Sequence, residues 1–270
     1  MYRPVDRQLV PAIHLKQAKE IYSRLCREYV AHRRGDGEYL EYVRSVIAND
    51  ASLDRHVRVF EIYAPYIQDG MKVLDWGCRH APDSCLLRAL HRDITIYGCD
   101  LCTEGQFQEF HDYAELSFTP LSHEYLLPYR DNEFDAVVGS GVLEHVAREQ
   151  KSLDELWRVI KDNGLLVITF LPNRWSLTEN ACRLLKKPEG HNRLYSLGDA
   201  KRLFLKSGFV PEVCGYHQFF PTFAKGVKGG RVLNTLAKLG MKLNRPLERV
   251  PIANAVSSNL FFVLRRVHEM

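Results

Sequence analysis

The sequence predicts an α/β protein with a mostly parallel sheet, helices on both faces, and a helical N-terminal segment. Three observations carry this. Residues 1–68 show helical spacing of apolar side chains. From residue 71 short apolar strands alternate with amphipathic helices. The strands are continuously apolar, as in "GLLVITFLP", a pattern expected of strands covered on both sides.

In chain order, "LKQAKEIYSRLCREYVAH" places Ala18, Ile21, Leu25 and Tyr29 at three- and four-residue steps. "GEYLEYVRSVIAND" and "DRHVRVFEIYAPYI" follow, separated by Gly and Asp signals. "KVLDWG" is a short strand ending in an acid and a glycine, and "PDSCLLRALH" is a helix with Pro82 suited to its first turn. "ITIYGCDL" is a strand, "EGQFQEFHDYA" a helix, "LSFTPLS" a weak strand and "FDAVVGSG" a strong one. "EQKSLDELWRVIK" sets Leu153, Leu156, Trp157 and Ile160 on one helical face. "GLLVITFLP" is a buried strand, "LGDAKRLFLKSG" a helix, and "FVPEVCGYHQFF" and "SSNLFFVLRRV" are strands. The division predicted is a helical cap over 1–68 and a ligand-binding domain over 69–270, with a basic amphipathic insertion at 220–250.

Composition narrows the function classes. At 270 residues with 46% apolar and 26% charged side chains, the chain suits one large domain or a domain with a cap. No run reaches the roughly 18 apolar residues of a membrane span, and the N-terminus lacks a signal-peptide core, so a cytoplasmic protein is expected. The formal charge of +4 is too mild to indicate nucleic acid, and none is expected as partner. Seven scattered cysteines fit free thiols in a reducing compartment. Cys99 and Cys102 have CxxC spacing, but no second pair completes a zinc set, and no metal cluster is read from the spacing.

The stretch "VLDWGCRHAPDS" at 73–84 is where the chemistry begins. It starts as a nucleotide loop, with Asp75 and Gly77, but Arg79 and Ala81 stand where further glycines would be. "VLDWGC" resembles the first motif of class I S-adenosylmethionine-dependent methyltransferases, and "YGCDL" resembles the second. "LLPYRDNEFDAVVGSGVLEHV" and "LDELWRVIKDNGLLVITFLPN" are similar to the fourth- and fifth-strand regions of the family's small-molecule branch. There Asp162–Gly164 stands for a usual proline-glycine pair. "HNRLYSLGDAKRLFLKSGF" resembles the later helix. The resemblance covers about 70–215 and the last strand. It implies the Rossmann-like methyltransferase fold, seven strands with an antiparallel last one, and S-adenosylmethionine as cofactor.

The resemblance implies site residues by position. Asp100, 23 positions after Gly77, is placed to accept hydrogen bonds from the ribose diol, with Leu101 beside it. Asp75 would orient the loop and the methionine end. Gly77 and Cys78 would bring backbone to the ligand. Arg79 would pair with the cofactor carboxylate or an anionic acceptor; the alternative is a solvated side chain on a loop that needs no positive φ. His123 stands where the family has an acid for adenine, followed by Glu124; a plain surface loop is the alternative. Ser140, Gly141 and Val142 follow the fourth strand and line the cofactor.

Methyl transfer needs alignment of acceptor, methyl and sulfur, and a hydroxyl acceptor gains from a general base. The expected candidates are His145 first, then His191 with Tyr195, and His217. The acceptor expected is a small molecule or glycan hydroxyl, since the C-terminal "PLERVPIANAVSSNLFFVLRR" resembles endings of enzymes from bacterial polysaccharide pathways. A quinone or lipid acceptor, a cofactor-free binding module of the same fold, and a nicotinamide oxidoreductase, which the missing GxGxxG disfavours, remain as alternatives. In 222–250, Val232, Leu236, Leu239 and Leu243 form one stripe, and Arg231, Lys238, Lys242 and Arg245 another face. That pattern fits a lid helix or a surface meeting an anionic membrane.

Overall fold

The computed structural model describes residues 10–33, 37–48, 50–184, 191–219, 250 and 254–267. They form two compact units, 1–119 and 120–270.

The first unit opens with helices α1 (Ala12–Ala31), α2 (Glu38–Ala48) and α3 (Asp50–Tyr63), then a 3-10 turn at Ala64–Tyr66. Helix α1 buries Leu15, Ala18, Tyr22, Leu25, Cys26 and Tyr29, the stripe that its spacing dictates. Strand β1 (Lys72–Trp76), helix α4 (Pro82–Leu90), strand β2 (Thr95–Asp100), helix α5 (Gln108–Ala114) and strand β3 (Leu116–Pro120) complete the unit. Strands β1 and β2 pair in parallel, Val73 opposite Ile96 and Asp75 opposite Gly98. Helix α5 starts four residues later than the sequence pattern suggests, because Gly105 takes φ +80° and turns the chain first.

The helices of 1–68 pack on the elements that follow them. Helix α1 packs on α4 and α5, and α3 on α4. The cause is aromatic. Tyr29 and Tyr39 pack their rings against Phe107, at 6.0 and 4.6 Å between centroids, and Tyr29 against Phe110 at 5.3 Å.

The second unit holds strand β4 (Phe134–Ser140), helix α6 (Glu149–Val159), strand β5 (Ile160–Pro172), helices α7 (Leu177–Leu184) and α8 (Leu197–Lys206), and strands β6 (Phe209–His217) and β7 (Asn259–Arg266). Strand β5 runs parallel to β4 and antiparallel to β7, which also pairs antiparallel with β6. Ile160, expected on the α6 stripe, has extended backbone and pairs with Phe134 instead. Helix α7 is absent from the sequence reading, although Ser176 and Glu179 carry the spacing of a capping box.

The sheet order is β3-β2-β1-β4-β5-β7-β6, seven strands with β7 antiparallel to both of its neighbours, β5 and β6. The insertion at 220–250 lies outside the described residues except for Val250, so neither reading of it is met by the structure. Among the described residues no helix is long and apolar enough to cross a membrane, and the described cysteines are free thiols.

Candidate active site

The predicted residues fall into two groups, one in each compact unit. In the first unit they meet on the loop between β1 and α4. Gly77, Arg79 and Ala81 all have left-handed backbone, with φ of +73°, +44° and +49°. The alternative reading of Arg79, on a loop needing no positive φ, is therefore corrected: the loop keeps glycine geometry without glycine. A non-glycine residue in this region costs roughly 1–2 kcal/mol, so neighbouring groups must hold it. The Arg79 N–H donates to Asp100 Oδ2 at 3.1 Å, and the Arg79 carbonyl accepts from His111 Nε2 at 2.6 Å. The Gly77 and Cys78 N–H groups donate to the Cys99 carbonyl at 2.8 and 3.2 Å. His111 is itself fixed by stacking on Phe118, 5.0 Å away.

Asp75 is buried, and its Oδ2 accepts from the Ser84 hydroxyl at 2.6 Å and the Ser84 N–H at 3.3 Å. It thus caps the first turn of α4 from the end of β1. Burial, with Asp83 close by, pushes its carboxyl up to about 8. Asp83 in turn accepts a hydrogen bond from the Tyr63 hydroxyl.

His80, unremarked in the sequence, is the buried pin of the loop. Its ring bonds the Tyr22 hydroxyl through Nε2 at 2.8 Å and the Tyr39 hydroxyl through Nδ1. Burial, and then the Arg79 charge, lower its pKa to about 3, so the imidazole is neutral.

These residues suit an adenosyl ligand. The Asp100 carboxylate accepts from the backbone of Arg79 and, at 3.1 Å, of Cys102. A carboxylate offers about four lone-pair sites, which leaves capacity for a diol. Leu101 is 74% exposed just beyond it, an apolar platform that nothing in its own unit covers. The Cys78 thiol is buried. The Arg79 side chain is exposed, its guanidinium 5.9 Å from the Tyr39 ring centre.

The second unit gathers the rest. Ser140 Oγ and Thr169 Oγ1 share a hydrogen bond of 2.7 Å, and the Gly141 N–H donates to the Thr169 carbonyl at 3.0 Å with φ +66°. The Val142 carbonyl accepts from the His145 N–H, closing the turn that carries Glu144 and His145. Arg193 braces that turn by donating to the Leu143 and Val146 carbonyls at 3.1 and 3.0 Å. His123 accepts the N–H groups of Tyr125 and Leu126 on Nδ1, ordering its own turn, and Glu124 is exposed beside Arg148.

Helix α7 starts at its Ser176 cap, whose hydroxyl accepts the Glu179 N–H at 3.1 Å. Glu179 then holds His191, accepting from its ring Nδ1 at 2.8 Å and from its N–H at 3.0 Å. That carboxylate raises the His191 pKa. The His145 and His191 rings lie 5.7 Å apart, and Glu144 Oε1 is 3.8 Å from His145 Nε2. Burial pushes Glu144 up to about 7. Tyr195 is buried, and its hydroxyl donates to Glu149 at 2.6 Å, which makes it a tie between segments. His217 is buried at the end of β6. The sequence reading saw no metal cluster, yet donor atoms of Glu144, His145 and His191 lie within 4.8 Å of one another. Chain spacing hides this, because His191 arrives 46 positions after His145.

The sheet order, the left-handed loop after β1 and the acid ending β2 define a class I methyltransferase fold. Residues 74–168 match the family described as a methyltransferase domain. The chain thus has the class I methyltransferase fold and a methyltransferase-domain match over 74–168; the methyl donor of that class is S-adenosylmethionine. A fatty-acid O-methyltransferase of Mycolicibacterium smegmatis is 30% identical over 113 residues, 41% of each chain. A tRNA (carboxymethyluridine(34)-5-O)-methyltransferase of Xenopus tropicalis is 25% identical over 162 residues, 56% of this chain and 24% of that one. The chain thus spans less than half the length of these two relatives. A SAM-dependent methyltransferase structure from Thermotoga maritima superposes with TM-score 0.58 at 14% identity, covering 92% of this chain and 99% of that one. The Haemonchus contortus phosphoethanolamine N-methyltransferase 2, solved with S-adenosyl-L-methionine, gives 0.54 at 16%, covering 80% and 53%. Both structural likenesses are of fold alone.

Proposed function

We propose that the chain transfers a methyl group from S-adenosylmethionine to a hydroxyl of a sugar, glycan or other small molecule. The observation that carries this is the loop itself. Arg79 and Ala81 are left-handed without being glycine, and Asp100 and His111 hold Arg79 so, at a conformational cost that a purely structural turn would avoid. In this reading Asp100 and Leu101 bind the nucleoside, Asp75, Gly77 and Cys78 shape the loop, and Arg79 offers a charge to a carboxylate. His123, Glu124, Ser140, Gly141 and Val142 complete the cofactor contacts.

Bound S-adenosylmethionine supplies an activated methyl group. The protein's part is to hold the acceptor and deal with its proton. Among the described residues the Glu144, His145, His191 and Glu179 group is the suited one, with Tyr195 and Glu149 supporting Arg193 beside it. An oxygen acceptor is supported by the printed names of two relatives, both of which methylate oxygen. The polysaccharide tilt rests on the C-terminal likeness alone, and a lipid hydroxyl or carboxyl is the competing acceptor. The test is incubation with methyl-labelled S-adenosylmethionine and panels of glycans, quinones and fatty acids. Label on a glycan oxygen is expected; label only on a fatty acid or a quinone would overturn the glycan assignment.

A further inference from the structure

Glu144 is a buried carboxylate whose side chain is 3% exposed, and its Oε2 has no hydrogen-bond partner among the described residues. Buried polar atoms are rarely left so, since an unmatched buried acceptor costs about 1–3 kcal/mol and more if charged. Around it stand two imidazoles. His145 Nε2 lies 3.8 Å from Glu144 Oε1. His191 gives Nδ1 to Glu179, which leaves Nε2 as its remaining ring nitrogen.

We propose that Glu144, His145 and His191 form a binding site for a divalent transition-metal ion, with Glu179 as the carboxylate that positions His191. One carboxylate oxygen and two imidazole nitrogens are the donor set that suits Zn2+, Mn2+, Fe2+ or Co2+. The Glu179–His191 hydrogen bond of 2.8 Å is the arrangement metal-ligating histidines use, fixing the tautomer and aiming the other nitrogen. The second contact, from the His191 N–H to Glu179 Oε2 at 3.0 Å, locks the same residue by its backbone. The turn bearing Glu144 and His145 is braced by Arg193 through two carbonyls, so two of the three donors sit on a fixed frame.

The distances permit closure. Donor atoms about 2.1 Å from one ion lie about 3–4 Å apart, and here all three lie within 4.8 Å. The side chain of His145 is 64% exposed. The ion would neutralise the Glu144 carboxylate, which is the group otherwise left unsatisfied. Three protein ligands leave coordination positions open. An oxygen of the acceptor is the ligand that fits them, a role that rests on the proposed oxygen methylation, whereas the metal site itself does not.

The test uses the full chain without a histidine tag, stripped with a chelator and dialysed. It is titrated with CoCl2 by absorption and with MnCl2 by paramagnetic broadening of imidazole proton signals. One equivalent of Co2+ is expected, with d–d bands and without thiolate charge-transfer bands. Mn2+ should broaden the His145 and His191 ring signals first. Glu144→Gln and His191→Ala should each weaken Co2+ binding at least tenfold, and Glu179→Gln about tenfold, as for a partner behind the ligand. Should a variant not fold, the broadening pattern of the wild-type chain still decides. Broadening of other histidines, or affinity unchanged in folded variants, means an adventitious ion only and overturns the site. S-adenosylmethionine binding, measured on the same stripped chain, separates the two ideas. If it persists without metal binding, this inference alone fails; metal binding without it leaves the site standing and removes the enzymatic reading.

Discussion

His80 makes a quantitative prediction about acid stability. Its imidazole is buried between the Tyr22 and Tyr39 hydroxyls, and burial holds its pKa at about 3 against an ordinary value of 6.5. The sign follows from proton counting. Between these two values the unfolded chain binds a proton that the folded chain refuses, so stability is full above pH 6.5 and falls as pH falls. For a shift of that size the loss between pH 8 and pH 5 is about 2 kcal/mol, and it grows by about 1.4 kcal/mol per further pH unit until pH 3. The perturbation is His80→Gln, which keeps one donor and one acceptor for the two tyrosines and does not titrate. Urea unfolding at pH 8, 7, 6 and 5 would be compared for the two chains. The wild type should lose about 2 kcal/mol more than the variant on going from pH 8 to pH 5. Parallel profiles would refute the reasoning, as would a His80 ring signal in the folded protein titrating near pH 6.5.

Three further outcomes follow. Asp100→Ala should weaken S-adenosylmethionine binding by about 2–3 kcal/mol, roughly 30- to 150-fold, since a charge-assisted pair of hydrogen bonds is lost; a calorimetric affinity within threefold of wild type in a folded variant would remove this acid from the site. Ala81→Gly should leave stability unchanged or raise it by up to about 1 kcal/mol in thermal unfolding, because relief of the left-handed alanine offsets the added chain entropy; a clear loss would contradict the strain argument. Gly208→Ala should destabilise by more than about 2 kcal/mol, since φ is +77° and the new Cβ would lie 2.6 Å from Trp157 Nε1; a near-neutral result in urea would count against that packing.

What could be read in the chain alone was local. The three- and four-residue spacing in α1, Pro82 opening α4, and the acid and glycine ending β1 each report on neighbours in sequence, and the structure has them where the pattern puts them. What was hidden is long-range or conformational. Arg79 gives no sign of positive φ, because the groups that hold it, Asp100 and His111, arrive 21 and 32 positions later. His80 reads as a loop residue until Tyr22 and Tyr39 close on it. Nothing local in the sequence links Glu144 and Glu179 to the imidazoles, and only the fold brings them to His145 and His191. Helix α7 was within reach, since Ser176 and Glu179 spell a capping box, but its short apolar pattern did not stand out.

The central claim is that the loop from Gly77 to Ala81, with Asp100, binds an S-adenosyl cofactor. Calorimetric titration of the full chain with S-adenosylmethionine, S-adenosylhomocysteine and NAD+ tests it directly. The account predicts saturable one-to-one binding of both S-adenosyl ligands and no heat from NAD+, as the missing glycine fingerprint requires. Absence of binding by both S-adenosyl ligands, or binding of NAD+ alone, would contradict it.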